Sequence, residues 1–87
     1  MENHEHTKAV LNRLSRAVGH LNAIKKMVES GRECSDVLIQ LSAVRAEIVN
    51  TSKVVLKDHL AHCIVRAVKE DDEQAIRQLQ SAIDRLL

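Results

Sequence analysis

The chain has no phenylalanine, tyrosine, tryptophan or proline, and only two glycines and two cysteines among its 87 residues. Each shortage excludes something. Aromatic side chains bury about 150–250 Å² each, so any core here is built from Leu, Ile, Val, Ala and Met. Their absence also removes the stacking platforms that grip single-stranded nucleic acid. No apolar run approaches the roughly 20 residues of a membrane span. The polar start MENHEHTK lacks the apolar segment of a signal peptide. A cytoplasmic location without a membrane partner is the resulting expectation. In a reducing compartment two cysteines serve as thiols or metal ligands more readily than as a disulfide.

Catalytic signatures are also missing. There is no glycine-rich phosphate loop and no pair of carboxylates with an evident pocket. A Cys63–His59 nucleophile pair is conceivable, but one face of a long helix in so short a chain leaves little room for a substrate. The chain reads as a non-enzyme.

What is present is helical periodicity. Val10, Leu14, Ala17 or Val18, Leu21, Ile24 and Val28 recur at spacings of three or four. Gly31 stands just past this segment as a stop signal. Leu38, Leu41, Val44, Ile48, Val55, Leu60, Ile64 and Val68 continue the pattern over residues 34–69, with no Gly or Pro between them. An unbroken helix there would be about 50 Å long, more than one small chain can cover. The acidic run Asp71-Asp72-Glu73 suits the N-terminus of a third helix. The stripe of that helix is Ile76, Leu79, Ile83 and Leu86. The expectation is a single all-α domain over 1–87. It is a helical hairpin with a long second helix and a short third helix, and residues 1–6 form an arm. Association with a second copy would cover the apolar faces.

Net charge is +1, but residues 1–57 hold nine Lys/Arg against six Asp/Glu, and residues 58–87 hold four against six. An oligomer aligning the basic parts would attract phosphate; an ordinary mixed-charge surface is the alternative. Arg13 and Arg16 lie three apart on helix one, and Arg45 lies on helix two. Arginine suits phosphate and guanine recognition. Neither a helix-turn-helix nor a zinc finger is visible.

Cys34, His59 and Cys63 form a soft ligand set suited to Cu(I), or to Zn(II) with a fourth ligand. His59 and Cys63 are four apart, on one helical face. Cys34 lies 25 positions before His59, roughly 37 Å along a helix. The three meet only if Cys34 comes from a second chain. In an antiparallel pair of second helices, that meeting puts the two-fold axis near Glu47 or Ile48, mid-helix. The alternative is that both cysteines pack as small hydrophobes and His59 faces water. His62 points about 100° away from Cys63, at the surface or behind the ligands. His20 reads as structural or solvent-facing. His4 and His6 either add to a coordination sphere or belong to a polar arm.

Three stretches, LNRLSRAVGHL, MVESGRECSDVLIQLSAVRA and VLKDHLAHCIVRAV, resemble the CsoR/RcnR/FrmR family of bacterial metal-sensing repressors. The Cys-His-Cys set resembles that of its copper-sensing branch. The resemblance implies antiparallel dimers assembling into tetramers, operator DNA bound by the apo protein, and release on binding Cu(I) at Cys34 of one protomer and His59 and Cys63 of the other. It implies DNA contacts from Arg13, with Arg16 and Arg45 matching less specifically. Two positions behind the ligands differ from the branch. Glu33 stands where Tyr is common, and Gln78 where a helix-three Glu is common. The nickel/cobalt branch has His at the position of Cys63, which this chain does not match, and an N-terminal His, which His4 or His6 could supply. Some nickel sensors resembling this family combine an N-terminal His with the Cys-His-Cys set, so Ni(II), Co(II) or Zn(II) sensing is an alternative. The formaldehyde sensors use a Pro that this chain lacks, and the persulfide sensors lack the His. A metal-buffering helical protein without a DNA partner is a further alternative.

Overall fold

The computed structural model describes residues 7–58, 62 and 64–86. Among these residues are four helical stretches: α1 (Thr7–Glu29), α2 (Cys34–Asp58), α3 (Val65–Lys69) and α4 (Glu73–Leu86). No strand occurs among the described residues, as the periodicity predicts.

α1 and α2 form an antiparallel hairpin. Its turn is set by Gly31, whose φ of 74° lies in the left-handed region. The Gly31 amide donates to Val28 O at 3.1 Å and the Arg32 amide to Met27 O at 3.0 Å. These two bonds satisfy carbonyls that the end of α1 leaves open.

The hairpin packs through a seven-residue repeat. On α1, Val10, Ala17 and Ile24 are buried, with Arg13, His20 and Met27 half-buried between them. On α2, Val44, Thr51 and Asp58 are buried, with Val37, Gln40, Glu47 and Val54 half-buried. Alternating steps of three and four keep one seam in contact along both helices.

A second apolar stripe lies one residue further on. It comprises Leu11, Leu14, Val18, Leu21 and Val28 of α1 and Leu38, Leu41 and Ile48 of α2, all exposed. One step rotates a position by about 100°. In antiparallel helices that rotation carries both stripes to the same side of the hairpin. The side opposite carries Arg16 and Asn50. The hairpin therefore has an apolar face and a polar, basic face.

α4 shares the apolar face near the N-terminus of α1. A cavity of about 400 Å³ lies between Val10, Leu14, Ile48 and Val55 on the hairpin and Leu79 and Ile83 on α4. The remainder of the face, including Val18, Leu21 and Leu41, is open in one protomer. Extents of 55 × 25 × 14 Å and a radius of gyration of 16.9 Å describe a rod-like protomer; a compact chain of this length has about 12 Å.

The sequence reading runs the second helix unbroken to residue 69. Within this stretch residues 34–58 and 65–69 are helical, as α2 and α3, and His62 and Ile64 between them have the wider i→i+5 helical bonding. Such turns inside helices are frequent at functional sites. α3 ends with Asp71 at φ 55°. The Asp72 amide donates to Ala67 O at 2.8 Å, and Asp72 Oδ1 then caps α4 by accepting from the Ala75 amide at 3.1 Å.

Candidate metal and nucleic-acid sites

Cys34 is the first residue of α2 and is an exposed, free thiol. α2 continues without interruption for 25 residues to Asp58, a span of about 36 Å. His59 and Cys63 lie outside the described residues, as do His4 and His6. Among the described residues no three His, Cys, Asp or Glu side chains converge.

Asp58, the last described residue of α2, has none of its side chain exposed. Its Oδ1 lies 3.5 Å from Nε2 of His62, one turn on. A fully buried carboxylate directly before a candidate imidazole ligand is the kind of group that orients ligands. The Asp-x-x-x-His spacing was the available sequence signal for it. Glu33 is exposed immediately before Cys34, and its carbonyl accepts from the Val37 amide at 3.2 Å. Gln78 lines a cavity of about 350 Å³ with Ile64 and Ala67, beside the turn that follows Cys63.

The basic side of the hairpin has its own site. Arg13, Arg16, Glu47, Asn50 and Thr51 line a hollow of about 260 Å³. Among the described residues, neither arginine has a hydrogen-bond or ion-pair partner. A guanidinium pair without a bonded partner suits a phosphate oxygen. Arg45 is exposed one residue beyond buried Val44, so its register places it with Leu41 and Ile48 on the flank away from Arg16.

Glu47 links this hollow to the seam. Its Oε1 lies 3.0 Å from Nδ1 of His20, and the other ring nitrogen of His20 lies 2.8 Å from Oε1 of Gln40. These contacts raise the His20 pKa above 6.5, the Gln40 bond contributing most and the Glu47 bond next, against a smaller lowering by desolvation. His20 is therefore tied into the hairpin seam, and its partners 20 and 27 positions away were beyond local pattern reading.

The profile described as "Metal-sensitive transcriptional repressor" matches residues 6–85. The chain belongs to the metal-sensitive transcriptional repressor family. It is 43% identical over 81 residues to the copper-sensing transcriptional repressor CsoR of Bacillus subtilis strain 168, covering 88% of this chain and 80% of that protein. Its fold matches the copper-sensing repressor CsoR with Cu(I) from Geobacillus thermodenitrificans NG80-2 with a TM-score of 0.88 at 32% identity, covering 98% of this chain and 90% of that one. It matches the nickel-responsive transcriptional regulator InrS with a TM-score of 0.78 at 40% identity, covering 100% and 99%. The metal-sensitive repressors are regulators rather than enzymes, as the missing catalytic signatures lead one to expect. No described helix of this family member is long and apolar enough to cross a membrane.

Proposed function

We propose that the protein is a Cu(I)-responsive repressor that binds operator DNA without metal and releases it when Cu(I) binds. The thiolates of Cys34 and Cys63 and a ring nitrogen of His59 are the ligands. Two thiolates and an imidazole are soft donors that suit Cu(I) in three-coordinate geometry. The observation that carries this reading is the continuity of α2 from Cys34 to Asp58. A rigid helix separates Cys34 from the stretch beginning at His59 by about 36 Å, so the ligands join only between two protomers. The open apolar stripe of α1 and α2 supports that association, as an antiparallel dimer that pairs again into a tetramer. The copper-sensing relatives support the choice of metal.

DNA is held by the unpartnered Arg13 and Arg16, with Arg45 as a further contact. Metal changes operator affinity only if it binds the two protein states unequally. An intersubunit site meets this condition, because it ties the ends of two protomers together in one arrangement. A coupling of about 1–3 kcal/mol changes operator affinity roughly 5–150-fold.

The similarity to a nickel-responsive regulator favours a second reading. There Ni(II), or by the same chemistry Co(II) or Zn(II), uses the Cys34, His59, Cys63 set together with His4 or His6. One titration separates the two. Operator-bound apo protein is titrated with Cu(I), Ni(II) and Zn(II) under competition by chelators of known affinity, with release followed by fluorescence anisotropy. Release by Cu(I) at one ion per protomer supports the copper reading. Release by Ni(II) alone, lost when residues 1–6 are deleted, replaces it.

A further inference from the structure

The hollow that holds Arg13 and Arg16 also holds a negative charge. Glu47 lines it with them, and a carboxylate there opposes an incoming phosphate. Glu47 points one oxygen at His20; the other, Oε2, is buried with no hydrogen-bond partner among the described residues. The Glu47 side chain as a whole is 42% exposed.

Among the described residues, His20 is the titratable group in contact with that carboxylate. Both of its ring nitrogens face oxygens, Glu47 Oε1 and Gln40 Oε1. Two acceptors on one imidazole is the pattern of the doubly protonated ring. A neutral ring keeps both contacts only if the Gln40 amide turns to present its NH₂ group. The charged groups around His20 are few. α2 presents Glu47. On α1 itself, Arg16 lies one turn back and Arg13 two turns back. α4 approaches α1 near Val10 and Leu14 through apolar Leu79 and Ile83.

We propose that His20 is a proton-operated control on DNA binding, acting through Glu47 on the charge of the arginine hollow. With a neutral ring, Glu47 cancels one of the two arginine charges and DNA binds more weakly. With the imidazolium, His20 balances Glu47 and the hollow presents both arginines to phosphate. By linkage, bound DNA raises the proton affinity of His20 by the same factor. His20 and Glu47 are positioning residues in this scheme, since neither needs to touch DNA. The inference rests on the assignment of Arg13 and Arg16 to the DNA contact.

The test uses metal-free protein and a labelled duplex from the region immediately upstream of its own reading frame. Affinity is measured at constant salt from about pH 6 to about pH 8.5, spanning the ordinary histidine range. Wild type should bind on the order of fivefold more tightly at the acid end, the effect of one unit charge across roughly 8 Å of partly solvated protein. His20→Gln should bind at the weaker level with most of that pH dependence gone; the other histidines titrate equally in both proteins. Glu47→Gln retains an oxygen to accept from His20 and should bind tightly across the range. Calorimetry in two buffers of different ionisation enthalpy should show proton uptake on DNA binding near neutral pH, reduced in His20→Gln. Helicity measured at each pH confirms folding, and Glu47→Gln carries the test alone if His20→Gln unfolds. An unchanged pH slope in His20→Gln, or Glu47→Gln binding more weakly than wild type at the alkaline end, overturns the control. Failure of wild type to bind at any pH overturns the DNA reading and this inference with it. An intact response to pH in Arg13→Ala, Arg16→Ala protein that still binds DNA shows that the hollow is not where the control acts, and overturns the inference alone.

Discussion

His20 of α1 and Glu47 of α2 meet at 3.0 Å across the hairpin seam, 27 residues apart in sequence. They stand where a seven-residue repeat ordinarily places apolar side chains. Polar residues at such positions fix the register of paired helices. The contact also has a sign in pH. The His20 pKa is raised above its ordinary 6.5. Its contribution to stability is therefore full below about pH 6.5 and is lost as pH rises through the raised value. In urea denaturation, wild type should exceed His20→Gln in stability most at about pH 6 and least above about pH 8. A difference that grows with pH would contradict this.

Substituting the proposed ligands should separate metal response from DNA binding. Cys34→Ala, His59→Ala and Cys63→Ala should each abolish release of operator DNA by Cu(I) while the apo proteins still bind it. Anisotropy titrations of the three variants measure this. Wild-type release in Cys63→Ala would remove that residue from the site.

Arg13→Ala should weaken operator binding and leave Cu(I) affinity nearly unchanged. Loss of one phosphate contact reduces the slope of log affinity against log salt by about one. Binding measured at several salt concentrations gives that slope directly. The same measurement on Arg45→Ala asks whether a residue on the opposite flank of the hairpin contributes.

The open stripe predicts the effect of a charge placed on it. Leu21 and Ile48 remain 41% and 46% exposed in one protomer. Ile48→Asp should shift the protein from oligomer to monomer in sedimentation experiments and should weaken metal binding with it, since the proposed ligands would come from two chains. A variant that stays oligomeric would place the interface elsewhere.

Gly31→Ala should destabilise the protein by about 1–2 kcal/mol, the strain of a side chain in the left-handed region. Asp72→Ala should cost about 1 kcal/mol by removing the cap on α4. Thermal melts of the two variants test each turn separately.

Helix type and the main turn were legible because they depend on local chemistry. Gly31 marks the end of α1 where its left-handed φ is required, and the acidic run at Asp71–Glu73 marks the start of α4. The i→i+5 bonding at His62 and Ile64 was not legible, since no local propensity signals it. The apolar positions were legible only as one broad stripe. The structure splits it into a seam of Val10, Ala17, Ile24 and Val44 and an exposed face of Leu14, Val18, Leu21 and Ile48. Neighbouring helical positions differ by only about 100°, so which of two adjoining stripes is inside depends on the partner helix.

By itself, the sequence determined the all-helical class, the hairpin and the basic residues of α1, and it supplied the proposed soft ligand set Cys34, His59 and Cys63, because spacing along a helix and ligand chemistry are properties of the chain. Tertiary structure alone decided that His20 would meet Gln40 and Glu47, that Glu47 would enter the hollow of Arg13 and Arg16, and that Asp58 would be wholly buried. These relations depend on the register of two antiparallel helices, and a seven-residue shift along either one would satisfy the same periodicity with different partners.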